Sequence, residues 1–219
     1  MTHLSDHRTR QTALPTALSC FALLLAACGG GETADAPPSD TPAAPQGIYG
    51  SAPSAAGGTP SVIMLRPIGS TVALPPREAP VMDQLGLAFS PALLLVRLAE
   101  TASFTNSETI THNVRLAFSD NDSTVLDAET DPGAHADFLF DREGGYEVTC
   151  DHHPGMRAFV FVTSAPYVVF ADHAGAFRLA DVPPGSYTLA VWSVDAARRS
   201  EQALEVAGPS TEVVLSPAL

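Results

Sequence analysis

The chain has 219 residues, of which 45% are hydrophobic, and its 24 acidic and 11 basic side chains give a formal net charge of −13. Nucleic acids and anionic lipid headgroups are poor partners for a protein of this charge, because they carry the same sign. A basic partner protein stays open, although an acidic surface also serves solubility alone.

The N-terminus has the layout of an export signal. Residues 1–27 carry Arg8 and Arg10, continue through an apolar run at residues 21–25 and end in small residues, which predicts a cleaved signal peptide. The apolar run is too short for a membrane-spanning helix. Residues 25–28 (Leu-Ala-Ala-Cys) resemble the bacterial lipoprotein cleavage box, which implies that Cys28 is lipidated; the alternative is an ordinary signal with an incidental cysteine. We therefore expect an exported protein, held by lipid alone on the periplasmic side of a bacterial membrane.

The rest of the chain predicts a tether followed by strands. Residues 28–46 are mostly small, polar or proline and lack apolar periodicity, which predicts disorder. Beyond them, short apolar or alternating runs recur between Gly, Pro, Asp and Asn, as in sandwiches and barrels. No sustained helical period is present, although residues 80–86 could hold a turn of helix. The principal runs are 47–50, 62–65, 93–98, 111–118, 138–140, 158–162, 167–170, 177–179, 187–192 and 213–215.

The C-terminal strands carry a recognisable pattern. A Gly-x-Phe-x-Leu strand at residues 175–179 is followed by Pro-Pro-Gly at 183–185 and by a Tyr-x-Leu-x-Val strand at 187–191. Proline fixes φ and glycine permits the chain reversal between the strands. This succession resembles the carboxypeptidase regulatory-like, transthyretin-type sandwich. The resemblance implies a fold and very little chemistry.

Cysteine usage singles out one residue. Of the three cysteines, Cys20 and Cys28 belong to the signal and its processing site, so Cys150 alone remains in the folded part. An unpaired thiol in an oxidising compartment is a liability unless something occupies it. A buried, inert structural cysteine is the alternative.

Soft metal ligands surround Cys150. Residues 150–156 (Cys-Asp-His-His-Pro-Gly-Met) bring a thiol, two imidazoles and a thioether into one loop. One Cys and two His with a weak axial Met is the donor set of blue-copper centres. The loop can supply only part of that set, and His112 is the candidate for the second equatorial imidazole. The period of two in the preceding strand places Tyr146, Val148 and Cys150 on one face, which carries the thiol inward toward His112 on a facing strand.

Residues 87–164 resemble the cupredoxin family, in particular plastocyanin and amicyanin. The matching segments are His-Asn-Val at residues 112–114, Gly-x-Tyr at residues 144–146 and Cys-x-x-His-Pro-x-Met at residues 150–156. The resemblance implies one type 1 copper site, with Met156 as the weak axial ligand and Asn113 supporting the ligands from outside. Its implied equatorial ligands are His112, Cys150 and His153.

Three alternatives at the site stay open. The family's spacing favours His153 over His152, which then serves as a solvent-exposed residue or an entry ligand. Zinc also fits Cys and His, although a thioether is of little use to it. In a purely structural interpretation, Met156 belongs to the core and the histidines belong to the surface. The remaining histidines of the folded part, His135 and His173, are expected in loops.

We predict an all-β fold, made of a cupredoxin-like Greek-key sandwich and a second small sandwich of the transthyretin or carboxypeptidase regulatory-like type. In a group of exported bacterial proteins with this arrangement, the early strands return to the second sandwich, so the copper unit is inserted into it. The predicted segments are the signal peptide (1–27), the tether (28–46), early strands and loops of the second sandwich (47–86), the copper-binding domain (87–164) and the C-terminal sandwich (165–219).

The resemblance to cupredoxins implies that the protein carries single electrons between exported or membrane-associated redox protein partners. The alternative is a copper-binding, storage or protein-interaction module without redox turnover. We expect no enzymatic activity, because four protein ligands leave no open position for a substrate.

Overall fold

The computed structural model describes residues 47–215. The predicted signal peptide, the lipidation site Cys28 and the tether all lie outside the described residues. The described chain forms one short 3₁₀ turn, Ala196–Arg198, and sixteen strands: β1 (Gly47–Ser51), β2 (Val62–Pro67), β3 (Val81–Gln84), β4 (Phe89–Ser90), β5 (Leu93–Arg97), β6 (Thr101–Asn106), β7 (His112–Phe118), β8 (Ser123–Thr130), β9 (His135–Leu139), β10 (Gly144–Thr149), β11 (Arg157–Thr163), β12 (Tyr167–Phe170), β13 (Ala176–Leu179), β14 (Gly185–Trp192), β15 (Ser200–Val206) and β16 (Ser210–Val214). The all-β class predicted from the sequence is confirmed. Within residues 47–215, no helix has the length and apolar character needed to span a membrane.

The strands form four sheets that make two sandwiches. Sheets β4-β3-β6-β9 and β5-β11-β10-β7-β8 enclose one core, which we call the central core. Sheets β13-β1-β16 and β12-β2-β14-β15 enclose another, the terminal core. We call the two units the central sandwich and the terminal sandwich. The central sandwich contains the candidate metal ligands.

The terminal sandwich is built from both ends of the described chain. Strand β1 pairs in parallel with β16 and antiparallel with β13. Strand β2 pairs antiparallel with β12 and with β14. The strands before the central sandwich and those after it therefore share two sheets, and the central sandwich is an insertion between β2 and β12.

A third core, the junction core, joins the two sandwiches. Strand β2 is buried on both faces, since Ile63 and Leu65 enter the terminal core while Val62 and Met64 enter the junction core. This explains why the first four residues of β2 are continuously apolar rather than alternating. Phe161 of β11 and Trp192 of β14 meet in the junction core, with ring centroids 4.8 Å apart.

A group of polar side chains, Arg66, Glu143 and Thr163, links β2 to the end of the central sandwich. Arg66, in β2, donates hydrogen bonds to Glu143 at 2.7 Å and to the Thr163 hydroxyl at 3.1 Å. Glu143 also accepts the backbone N–H of Ser164 at 2.6 Å. The carboxylate of Glu143 thus joins β2 to the point where the chain leaves the central sandwich.

Two details of the sequence-based organisation are corrected. The helical turn expected at residues 80–86 is wrong, because Val81–Gln84 is strand β3 and pairs in parallel with β6. Met82 is fully buried in the central core, so the central sandwich begins before the expected boundary at residue 87. Alternating burial of Met82 and Gln84 stabilises this four-residue strand through tertiary packing, which local propensity does not reveal.

Gly145 of β10 lies directly under the Trp192 ring. A Cβ at this position would meet ring atom Cζ2 at 2.2 Å, and Trp192 is only 5% exposed, so the ring has little room to move. We predict that Gly145→Ala lowers the free energy of unfolding by about 1–3 kcal/mol through overpacking, as measured by urea denaturation.

Gly208→Ala is the matched control. A Cβ at Gly208 has no heavy atom of the described residues within 4 Å, so its effect should stay within about 0.5 kcal/mol. Equal stability of the two variants would contradict the close packing of the sandwiches at Gly145.

Candidate metal centre

Strand pairing brings the thiol and the first imidazole to one place. Cys150 follows β10, and it is buried on the same face as Tyr146 and Val148, as the period of two predicts. His112 begins β7, which pairs antiparallel with β10 in the same sheet. The two candidate ligands therefore belong to neighbouring strands of one sheet, not to facing strands as expected. Cys150 is 4% exposed and His112 is fully buried.

Three donor atoms converge in this corner of the central sandwich. The Sγ atom of Cys150 lies 3.8 Å from Nδ1 of His112 and 3.7 Å from Nδ1 of His153. All three donor atoms lie within 4.8 Å of one another. A metal that binds nitrogen at about 2.0–2.1 Å and sulfur at about 2.3 Å in a trigonal plane separates those atoms by roughly 3.7 Å. The observed spacing fits a metal held between them.

Met156 adds a thioether beside this group. Its side chain is 3% exposed and belongs to the central core together with Cys150. Both residues also line one cavity at the ligand loop. The N–H of Met156 donates to the carbonyl of His153 at 3.0 Å, which closes a turn with Pro154 and Gly155 in its central positions. Gly155 has φ +126°, a conformation that favours glycine, so this turn depends on the Pro-Gly pair.

Asn113 ties the ligand loop to the sheet. Its backbone N–H lies 3.5 Å from Sγ of Cys150, and its side-chain oxygen accepts the N–H of Asp151 at 2.6 Å. Its side-chain nitrogen donates to Asp127 of β8 at 2.8 Å. Hydrogen bonds of this kind fix the orientation of metal ligands. Asn113 thus links the ligand loop to strands β7 and β8.

The outer nitrogen of His112 faces a carboxylate. Nε2 is buried and has no aligned hydrogen-bond partner within residues 47–215, although a Glu108 oxygen lies 3.5 Å away, within ion-pair range. Glu108 accepts the N–H of Leu87 at 2.6 Å, and this bond lowers the pKa of Glu108; the His112 contact acts in the same direction. An ionised carboxylate at Nε2 favours a proton on that nitrogen, which leaves Nδ1 as a lone-pair donor.

The adjacent histidines have different surroundings. His153 contributes its Nδ1 to the donor group, whereas Nε2 of His152 lies 2.8 Å and 3.0 Å from the two carboxylate oxygens of Glu129. The structure therefore places His152 at the surface beside β8.

The other two histidines are not brought to the donor group. His135 begins strand β9 beside Asp137, so its expected place in a loop is corrected, while His173 lies in the turn before β13.

Two contributors near the site were not recognised from the sequence, Glu108 and Asn106. Glu108 lies four residues before His112, and this closeness in the sequence was the available indication that the two side chains meet. Asn106 is 1% exposed at the end of β6. Nothing in the type of this polar residue predicts that it will be buried.

The two loop histidines provide a matched pair of variants. We predict that His153→Ala lowers Cu(II) affinity by at least about 100-fold, since it removes a direct ligand where even outer partners cost 10–100-fold. His152→Ala should change affinity less than about threefold, because an exposed ion pair contributes little. Competition with a chelator measures both, and the reverse ranking would exchange the two assignments.

Comparison with known proteins agrees with this donor set. Residues 78–163 match the family of copper binding proteins of the plastocyanin/azurin type. No curated protein sequence matches the chain significantly.

Several solved structures are similar over part of the chain. A reduced amicyanin mutant is 26% identical, with 38% of this chain and 81% of that chain covered and a TM-score of 0.36. A purple cupredoxin from Nitrosopumilus maritimus is 20% identical, with 39% and 99% covered and a TM-score of 0.35. The match of residues 78–163 to this family and the convergence of Cys150, His112 and His153 together support a copper-binding domain, with copper as its cofactor.

Proposed function

We propose that this protein is a type 1 (blue) copper protein that carries single electrons between redox protein partners. The observation that carries the proposal is the convergence of one thiolate sulfur and two imidazole nitrogens within 4.8 Å of one another. Met156 lies buried beside them and would add its thioether as a weak ligand of the proposed site. Bound copper supplies a one-electron change between its cuprous and cupric states.

The ligands are held by contacts that do not depend on metal. His112 and Cys150 are fixed by the pairing of β7 with β10, and the Pro154–Gly155 turn fixes the position of His153 relative to Met156. Asn113 bonds the loop to the sheet. Because these contacts restrain the side chains, a change of copper charge should move them little, which favours rapid electron transfer.

The ligand end of the central sandwich presents apolar side chains. Leu85, Leu87 and Ile110 are 57%, 53% and 41% exposed. Leu87 is hydrogen-bonded to Glu108, which contacts His112, so this surface adjoins the ligands. His153 is half-buried and brings a ligand to the edge of the same end. A partner that docks here would approach the metal through His153.

We further propose that the protein is not an enzyme. His112, Cys150, His153 and Met156 would fill the coordination positions that copper offers in a trigonal site with one axial ligand. Metal-assisted catalysis requires an open position for water or substrate. The four-ligand set supports electron transfer instead.

The cellular setting is proposed from the sequence. The signal-like residues 1–27 and the lipoprotein-like box ending at Cys28 support an exported protein attached by lipid to the periplasmic side of a bacterial membrane. Metabolic labelling with a fatty acid would test the attachment, with Cys28→Ser as the variant that should lose the label.

Voltammetry and electron self-exchange test the proposed function directly. We expect a reversible one-electron couple and self-exchange that is fast on the timescale of proton NMR, because the ligands are restrained. Slow exchange together with ready loss of copper to a chelator would contradict an electron carrier and favour a copper-storage module.

Met156 is predicted to set the reduction potential. Met156→Gln replaces a soft thioether by a harder oxygen donor, which favours Cu(II). The potential should fall by more than about 59 mV, which corresponds to a tenfold shift in a one-electron equilibrium.

Met82→Leu is the matched control, because Met82 is buried in the same core but lies on β3, in the sheet that does not contain β7 and β10. This volume-conserving change should leave the potential unaltered. An unchanged potential in Met156→Gln would remove Met156 from the ligand set.

A further inference from the structure

Asn106 is a buried polar residue just outside the ligand group. It is the last residue of β6 and is 1% exposed. Residues 107–111, which we call the approach segment, then cross to the other sheet and reach His112. Burial of an amide is costly unless its donors and acceptors are paired. The partners of Asn106 therefore show what the residue does.

Every polar group of Asn106 has a partner. Its Nδ2 donates to the carbonyl of Ile110 at 2.8 Å and to the carbonyl of Thr130 at 2.7 Å. Its Oδ1 accepts the N–H of Glu108 at 2.9 Å. Its backbone N–H and carbonyl bond to residues 133–134. One side chain thus binds Glu108 and Ile110 of the approach segment and Thr130 of β8.

Each side-chain partner of Asn106 is next to His112. Thr130 is the register partner of His112 in the pairing of β7 with β8. Ile110 lies two residues before His112 in the chain, and Glu108 contacts the outer nitrogen of its ring. The three hydrogen bonds of Asn106 therefore hold the backbone of residues that lie before His112 in the chain, opposite it in the sheet, and at the outer nitrogen of its ring.

Gln84 and the hydroxyl of Thr130 form a second buried polar pair near Asn106, and this pair has a different role. Gln84 of β3 donates to the carbonyl of Thr105 at 3.1 Å and to the hydroxyl of Thr130 at 3.0 Å. These bonds join strands and do not involve the approach segment. Thr130→Val removes the hydroxyl but keeps the carbonyl that Asn106 uses, so the chain contains a control at the same depth.

We propose that Asn106 is a positioning residue for the metal ligand His112, acting through the fold of the approach segment and through Glu108. It touches no copper ligand itself. The proposal depends on the proposed function only in taking His112 as a copper ligand. A residue that merely stabilised the sandwich would change stability without changing the ligand ring.

The first test compares copper retention in three proteins. In Asn106→Ser the side chain is too short to reach Ile110 and Thr130, so the approach segment loses its restraint. Copper loss to an excess of chelator should accelerate at least about tenfold relative to the wild type, the lower end of what outer partners of metal ligands contribute. Thr130→Val should lose copper within about twofold of the wild-type rate, although it also lacks a buried hydrogen bond.

The second test determines the tautomer of the His112 ring in the metal-free protein. Nitrogen-15 NMR of the imidazoles should show His112 as a single tautomer protonated at Nε2 in the wild type and in Thr130→Val. In Asn106→Ser, the ring signals should shift or broaden toward a mixture of tautomers. Asn106→Asp keeps the size and the acceptor oxygen while losing the two amide donors, and it replaces the serine variant if that variant does not fold.

The outcomes separate the possibilities. An Asn106 variant with lowered melting temperature but wild-type copper loss and ring spectrum would overturn the positioning role. A wild-type protein that binds copper without a redox couple would contradict the proposed function, yet the copper-loss ratio and the ring spectrum would still decide the role of Asn106.

Discussion

The pairing of β10 with β7 is the interaction on which the rest of the structure depends. The register places Val148 opposite Leu116, so the residues that follow carry the thiol of Cys150 inward beside His112. A one-residue slip would turn every side chain of β10 to the opposite face and remove the thiol from the core. The two paired strands thus position two of the proposed ligands, Cys150 and His112. The short Pro-Gly turn then brings His153 and Met156 to the same corner.

The ligand strand is packed on both faces. Its inner face lies in the central core, while Gly145 on its outer face lies under Trp192 of the terminal sandwich. Because glycine has no Cβ, the Trp192 ring lies closer to β10 than a side chain at position 145 would allow. The terminal sandwich therefore supports the back of the strand that leads to Cys150, while Leu85 and Leu87 of the central sandwich stay exposed. Its transthyretin-type identity stays a prediction.

Sequence patterns predicted the strongly periodic features and missed those that depend on tertiary contact. The spacing around Cys150 and the segment at His112 identified the residues that the structure brings together, because ligand chemistry is local in sequence. Strands β8 and β15 were missed because they are edge strands with many exposed polar residues. The role of Asn106 could not be predicted, since its partners come from a loop and from another strand.

The most direct measurement of the central claim is the visible absorption and electron paramagnetic resonance spectrum of the purified protein with one equivalent of Cu(II). A thiolate and two imidazoles around copper predict an intense sulfur-to-copper charge-transfer band and a narrow copper hyperfine splitting, because the Cys150 sulfur shares the unpaired electron. A weakly coloured protein with a wide splitting would show that Cys150 does not bind copper as described, and would contradict the blue-copper account.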